Sequence, residues 1–365
     1  ATDIIAANDN RYTAPTDVVK AGYSSAGPRD DGGIKPDITV TGTNVAFAGT
    51  LEDTTGTSSV DIGSGTSFSA PVVTGIIGLW MQIYRQLFPA LELNAAAAKT
   101  LTVHSALEAG SVGPDPWYGW GYINAKKGAE LLVGKSNNTV IFNDETLNNG
   151  IINSKTGTAS GSEPLKVTIA WTDPANTTLP TTWQTAHNNR TSKLVNDLDL
   201  RIIDTTDNTV YYPWKLDANN PQNPATKADN TVDNVEQVVI DAPIAGRTYR
   251  IEVSNKGNLV NASGAGTPQN YSILVTGFTE VLATNEAGRA NQIIISPTIT
   301  KDFVNVLKAP KKSTFSLYDL SGKKLQTGFI RSDKTSIDLS ACAKGIYILE
   351  VKTGKEVISK KLIKE

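Results

Sequence analysis

An α/β segment followed by two all-β modules is the architecture that this 365-residue sequence predicts, from two changes of pattern along the chain. Residues 1–134 alternate turn-rich stretches with long helical runs, and residues 135–280 switch to alternating β-branched runs broken by Asn, Gly, Pro and Thr. Past a polar joint at 281–291, near "LATNEAGRAN", residues 292–365 return to strand-length runs between Ser-Gly and Thr-Gly turns.

Each part follows from its own residues. The first holds helical runs at 68–87, 93–107 and 124–132, the α part of an α/β pattern. The second contains "LKVTIAWT", "DLDLRIID", "EQVVIDAP", "TYRIEVSN" and "NYSILVTG", strands of an antiparallel sandwich or jelly roll. The third contains "FVNVLKAP", "TFSLYDLSGKKLQ" and "GIYILEVKTGKEVISKKLI", which suit a small sandwich; the last of these predicts a terminal hairpin that leaves Lys360, Lys361 and Lys364 near an exposed end.

Charge and cysteine content narrow the function. The net charge of −2 gives no reason to expect nucleic acid as a partner, but residues 301–365 carry 14 Lys and Arg against 7 Asp and Glu, a local +7 that leaves −9 elsewhere. The single cysteine, Cys342, excludes an intramolecular disulfide. No apolar run is expected to reach the roughly 18 residues of a membrane helix. Starting at Ala1 without an initiator Met or a signal-like core, the chain reads as processed or truncated.

The stretch "GSGTSFSAP" (63–71) places Ser67 among small residues at the start of an apolar helical run. Two readings are open. Ser67 caps the helix, or it is a nucleophile set where first-turn N–H groups and the helix dipole stabilise an oxyanion. Pro71 is expected in the first turn, where its missing N–H does no harm.

"GTSFSAPVVTG" resembles the nucleophile segment of the subtilisin-like serine peptidases, with Ser67, Ala70-Pro71 and Gly75 in matching places. "GYSSAGP" (22–28), "IKPDITVTGTNV" (34–45) and "YGWGYINAKKGAELL" (118–132) are similar to further family segments in the same order. The resemblance implies a partial parallel-sheet catalytic domain over 1–134, with Ser67 as nucleophile and as a backbone oxyanion donor. It also implies a triad His and Asp upstream, yet the only histidines, His104 and His187, follow Ser67. His104, in "LTVHSAL", reads as a packed helical residue, and His187, in "TAHNNRT", as a loop residue. Asn8 is the tempting oxyanion-hole Asn, but it lies too close to "GYSSAGP" to match. The N-terminal portion of the same peptidase is therefore the expected partner, alongside protein or peptide substrates, and the chemistry requires no cofactor.

"VTIAWTDP", "LVNDLDLRI" and "DNVEQVVI" resemble the β-sandwich that follows the catalytic domain in some bacterial subtilisin-like peptidases. Strand alternation puts Leu198, Leu200 and Ile202 on one face and Asp197, Asp199 and Arg201 on the other. Two carboxylates one pleat apart suit calcium, or form a solvated face offset by Arg201. The resemblance to calcium-stabilised relatives adds Asp173, Asp233 and Asn234 as candidate donors to a structural calcium.

"YDLSGK" (318–323), "KGIYIL" (344–349) and the Lys-rich ending are similar to the C-terminal sorting domain of cargo exported by the type IX secretion system of Bacteroidetes. That resemblance implies a small immunoglobulin-like sandwich over 292–365, an outer-membrane carrier or translocon as partner, and delivery through the periplasm and outer membrane to the surface or medium. The sequence thus reads as a secreted subtilisin-like serine endopeptidase, incomplete without its upstream segment. The competing reading is a catalytically incomplete cargo or binding module.

Overall fold

The computed structural model describes the chain except for residues 1, 5–10, 51–55, 57, 179, 284–292, 308, 333 and 354–356. The expected joint at 281–291 and the tip of the terminal hairpin fall mainly outside the described residues. The chain divides into two compact units, Ala1–Ser136 with Val140–Thr284, and Asn137–Thr139 with Asn285–Glu365.

The first segment opens with β1 (Thr2–Ile4) antiparallel to β2 (Val18–Lys20), and continues with the hairpin of β3 (Val45–Thr50) and β4 (Ser58–Gly63). Helices α1 (Thr66–Leu87), α2 (Ala95–Ser105) and α3 (Ala125–Ser136) lie where periodicity predicts them. Asn94 caps α2, accepting the Ala97 N–H at 2.8 Å, and Asn124 accepts the Lys127 N–H at 2.9 Å at the start of α3. The parallel pairing expected of this segment is confined, among the described residues, to the isolated bridges Thr2–Thr41 and Thr39–Tyr122. A parallel sheet needs cover on both faces, and the named strands of this segment form only short antiparallel pairs.

The middle segment runs, in chain order, through β5 (Ile141–Leu147), β6 (Asn153–Ala159), β7 (Leu165–Trp171), the short helix α4 (Trp183–Ala186), β8 (Asp197–Asp204), β9 (Val210–Tyr211), β10 (Trp214–Lys215), β11 (Thr226–Lys227), β12 (Val235–Ile240), β13 (Thr248–Lys256), β14 (Gln269–Thr276) and β15 (Phe278–Ala283). Two antiparallel sheets, ordered β12-β7-β14-β5 and β15-β6-β13-β8-β9, enclose a core that includes Val167, Ile169, Trp171, Leu198, Leu200, Ile202, Ile251 and Ile273. This is the predicted sandwich, with alternation on β8 directing its leucines inward.

Helix α2 lies on β7 and β14, so the first two segments share one compact unit. Its His104 is buried, Nδ1 meeting Thr168 Oγ1 at 2.9 Å and Nε2 meeting Thr276 Oγ1 at 3.0 Å. Desolvation holds this imidazole well below its usual range, hence neutral. The packed role read from the sequence is thereby placed on specific hydroxyl partners.

The second unit contains β16 (Ile294–Ser296), β17 (Ile299–Thr300), β18 (Phe303–Leu307), β19 (Thr314–Asp319), β20 (Lys324–Phe329), β21 (Lys334–Asp338), β22 (Gly345–Lys352) and β23 (Val357–Lys364). Sheets β16-β18-β21 and β17-β23-β22-β19-β20 pack around Val304, Val306, Leu317, Ile337, Leu349, Val351 and Leu362. The terminal hairpin forms, with Lys352 opposite Val357. Lys360 and Lys361 are exposed as expected, but Lys364 is buried: its ammonium donates to the Lys301 carbonyl and lies 3.6 Å from Asp302. Pairing of Thr300 with Lys364 draws β23 against β17 and tucks that side chain away from the terminus.

Candidate active site

The small residues around Ser67 answer to packing as well as to chemistry. Gly65 is the N-cap of α1, with no side-chain capping bond, so Ser67 is not the cap. The chain turns into the helix through Phe68 N–H donating to Gly65 O at 3.0 Å, while Gly65 N–H donates to Gly42 O at 2.8 Å. The Phe68 ring then lies directly over Gly63, where a β-carbon would meet it, and 5.2 Å from the Phe47 ring, which ties the β3–β4 hairpin to the first turn of α1. Ser69 is buried, donating to Val40 O at 3.3 Å.

Ser67 itself is exposed, and its Oγ has no hydrogen-bond partner among the described residues. It sits in the turn whose backbone N–H groups have no intrahelical acceptors. Pro71 is the sixth residue of α1 rather than a first-turn residue. The Gly65 turn starts the helix earlier than the apolar run suggests, so the N–H that would have bonded the Ser67 carbonyl is missing.

Neither histidine serves Ser67. Both ring nitrogens of His104 are taken by Thr168 and Thr276. His187 follows α4, where its ring lies 4.9 Å from that of Trp183 and its Nδ1 is 3.3 Å from Asn188 Nδ2. Asn8 lies outside the described residues.

Contrary to the expectation from the apolar runs, helix α1 is long and apolar enough, by length and composition alone, to cross a membrane, because the helix continues through the small and polar residues that punctuate those runs. A core helix passes the same test, yet only 11% of its most apolar window is buried, with Trp80 and Tyr84 the large side chains that are covered.

The five candidate calcium donors do not converge. Both Asp173 oxygens accept backbone N–H groups, from Val195 at 2.7 Å and Asn196 at 2.8 Å. Asp233 accepts Ile34 N–H at 2.9 Å and the Asn230 amide at 3.0 Å, and Asn234 bonds Trp171 O and Lys99. Asp199 takes Arg201 at 2.8 Å and the Lys256 ammonium, and Asp197 lies 3.7 Å from Lys256. The oxygens of Asp173 and Asp233 and one oxygen of Asp199 are thus taken by protein donors, and among the described residues no group of three or more His, Cys, Asp or Glu could hold a metal ion.

What alternation on β8 does not reveal is the rest of this cluster. Asp229 accepts Arg201 and Lys256, and the fully buried Glu236 of β12 accepts Leu200 N–H at 2.6 Å. Asp197 Oδ1 and Glu236 Oε1 are buried without a partner. Burial pushes the Asp197 carboxyl up to about 6, with Asp199 and Asp229 adding like charge against the pull of Lys256, and burial raises Glu236 well above the usual range. Strand register brings these groups together, and no local motif signals it.

Residues 5–121 match the subtilase family, and residues 295–365 match the secretion system C-terminal sorting domain. The chain carries a subtilase-family segment and a C-terminal sorting domain. The subtilase-family segment is similar to the subtilisin-like protease SBT3.4 of Arabidopsis thaliana, 32% identical over 125 residues, covering 32% of this chain and 16% of that protein. Two solved structures show only slight likeness, each with a TM-score of 0.18. One is PorZ, a surface component of the type-IX secretion system of Porphyromonas gingivalis (14% identity, 29% of this chain and 14% of that one). The other is the BSP domain of a biofilm associated protein (11% identity, 65% and 55%). The sorting domain directs export through the type IX secretion system to the cell surface or extracellular space.

Proposed function

We propose that the chain is the C-terminal portion of a secreted subtilisin-like serine endopeptidase, with Ser67 as nucleophile. The observation that carries this reading is the exposed, unpartnered Ser67 in the first turn of α1, inside the subtilase match. In that role Ser67 Oγ attacks the scissile carbonyl of a protein or peptide, and the Ser67 backbone N–H helps hold the oxyanion. A companion segment, the N-terminal portion of the peptidase, supplies the His that takes the proton and the Asp that orients it. Only 11% of the most apolar window of α1 is buried and its Leu79 is 58% exposed, which supports such a companion, because apolar helix surface is stable in water only when covered. The outer-membrane carrier or translocon of the type IX system is the export partner.

The second reading is an inactive cargo or binding module, favoured by the engagement of both histidines away from Ser67. A fluorophosphonate probe separates the two. Labelling at Ser67 when the companion is present, and its absence in Ser67→Ala and in residues 1–365 alone, supports the peptidase. No labelling in the complete assembly makes the chain a non-catalytic cargo, and labelling of the isolated chain would remove the need for the companion.

A further inference from the structure

The sheet β17-β23-β22-β19-β20 of the second unit turns one face to the core and leaves the other without cover. Antiparallel sheets of this kind usually alternate apolar-in with polar-out. Here the outer face breaks that rule. Register sets Ile299, Ile363 and Ile346 side by side across three strands. The next row reads Lys361, Ile348, Tyr318, Lys324, with the Lys324 ammonium 5.4 Å from the centre of the Tyr318 ring. At the far end the row reads Val357, Lys352, Thr314, Phe329. Phe329 is 62% exposed, Val357 54%, and Ile348 and Ile363 each 38%.

We propose that this outer face is the surface through which the second unit docks onto a protein partner with an apolar patch ringed by carboxylates. The proposal rests on the reading of this unit as a sorting domain and names the face that does the sorting. Exposed isoleucines, a tyrosine and a phenylalanine on one face supply desolvation energy, as the centres of interfaces do. Lys324, Lys352 and Lys361 outnumber Glu350 on the same face, in a region of local charge +7, so electrostatics select an acidic surface. Self-association on this face would set lysines against lysines. An anionic bilayer is a poorer match, because the row Ser359, Glu350, Ser316, Thr327 crosses the face between its apolar ends. Burying the Glu350 carboxylate and the Ser359 and Ser316 hydroxyls against hydrocarbon leaves them unpaired, whereas a protein surface can return hydrogen bonds.

The test uses the full chain, expressed in cells that possess the type IX system, with export read as the fraction on the surface and in the medium. Ile348→Ser with Ile363→Ser is expected to lower export by about tenfold, and Lys324→Glu with Lys361→Glu to lower it likewise, both with melting temperature unchanged. Thr327→Ser on the same face is expected to export as the parent does. Parental export by both double variants, while deletion of 295–365 abolishes export, would overturn the face but keep the sorting reading; export of the deletion variant would remove the sorting reading itself. Two measurements on the purified chain close the alternatives. Binding to phosphatidylglycerol-containing vesicles that the Ile348→Ser, Ile363→Ser variant loses would reassign the face to membrane, and a parental dimer that this variant converts to monomer would reassign it to self-association.

Discussion

The ring of Phe68 rests on the backbone of Gly63, with Cε1 and Cε2 each 2.8 Å from the position a β-carbon would take there. The contact joins the end of β4 to the first turn of α1, so the placement of Ser67 depends on a residue four positions earlier that performs no chemistry. Gly63 is required for its lack of a side chain, while Gly65, at the N-cap, has only ordinary contacts.

Gly63→Ala is therefore expected to lift the Phe68 ring, loosen the hairpin and destabilise the unit by about 1–3 kcal/mol, the usual cost of overpacking. Thermal denaturation measures this. Combined with Phe68→Ala, the alanine at 63 has nothing to strike, and its added cost is expected to vanish in a double-mutant cycle. Equal costs of Gly63→Ala with and without Phe68 would show that the ring contact is not the cause.

The Asp197 carboxyl gives a pH dependence with a definite sign. Burial raises it to about 6 in the folded chain, above the ordinary aspartate value, so the folded state holds the proton more tightly than the unfolded state. Its penalty is absent below about pH 4 and complete above about pH 6, so stability falls with rising pH across that window. Asp197→Asn is expected to stabilise the chain by about 1–2 kcal/mol above pH 6 and to change little below pH 4. Denaturant titrations at pH 4 and pH 7.5 test this; an equal effect at both would show that the ionised carboxylate is not what is penalised.

Chelation is the third measurement. With Asp199 bonded to Arg201 and Lys256, and with Asp173 and Asp233 bonded to N–H donors, EDTA is expected to leave the melting temperature unchanged and added calcium to raise it no further. A fall in melting temperature on chelation, reversed by calcium, would show that a cation displaces these donors after all.

Local pattern carried the helices, the sandwich strands and the terminal hairpin. Alternation on β8 correctly put Leu198, Leu200 and Ile202 in the core, because a side chain's face follows from parity along one strand. Pro71 was misplaced by one turn, since helix starts depend on cap geometry, which apolar periodicity does not encode.

The sequence by itself determined that the chain combines an α/β-patterned segment with two β modules, that Ser67 stands at the start of an apolar helix, and that no histidine precedes it. Those are properties of neighbours along the chain. Only the tertiary structure decided that His104 is spent on Thr168 and Thr276, that Asp229, Glu236 and Lys256 join Asp197 and Asp199, and that β22 keeps isoleucines on its outer face. Each depends on register between strands distant in sequence or on the seating of a helix against a sheet. A one-residue slip would exchange the two faces of a strand, so these partnerships are set by packing across the fold.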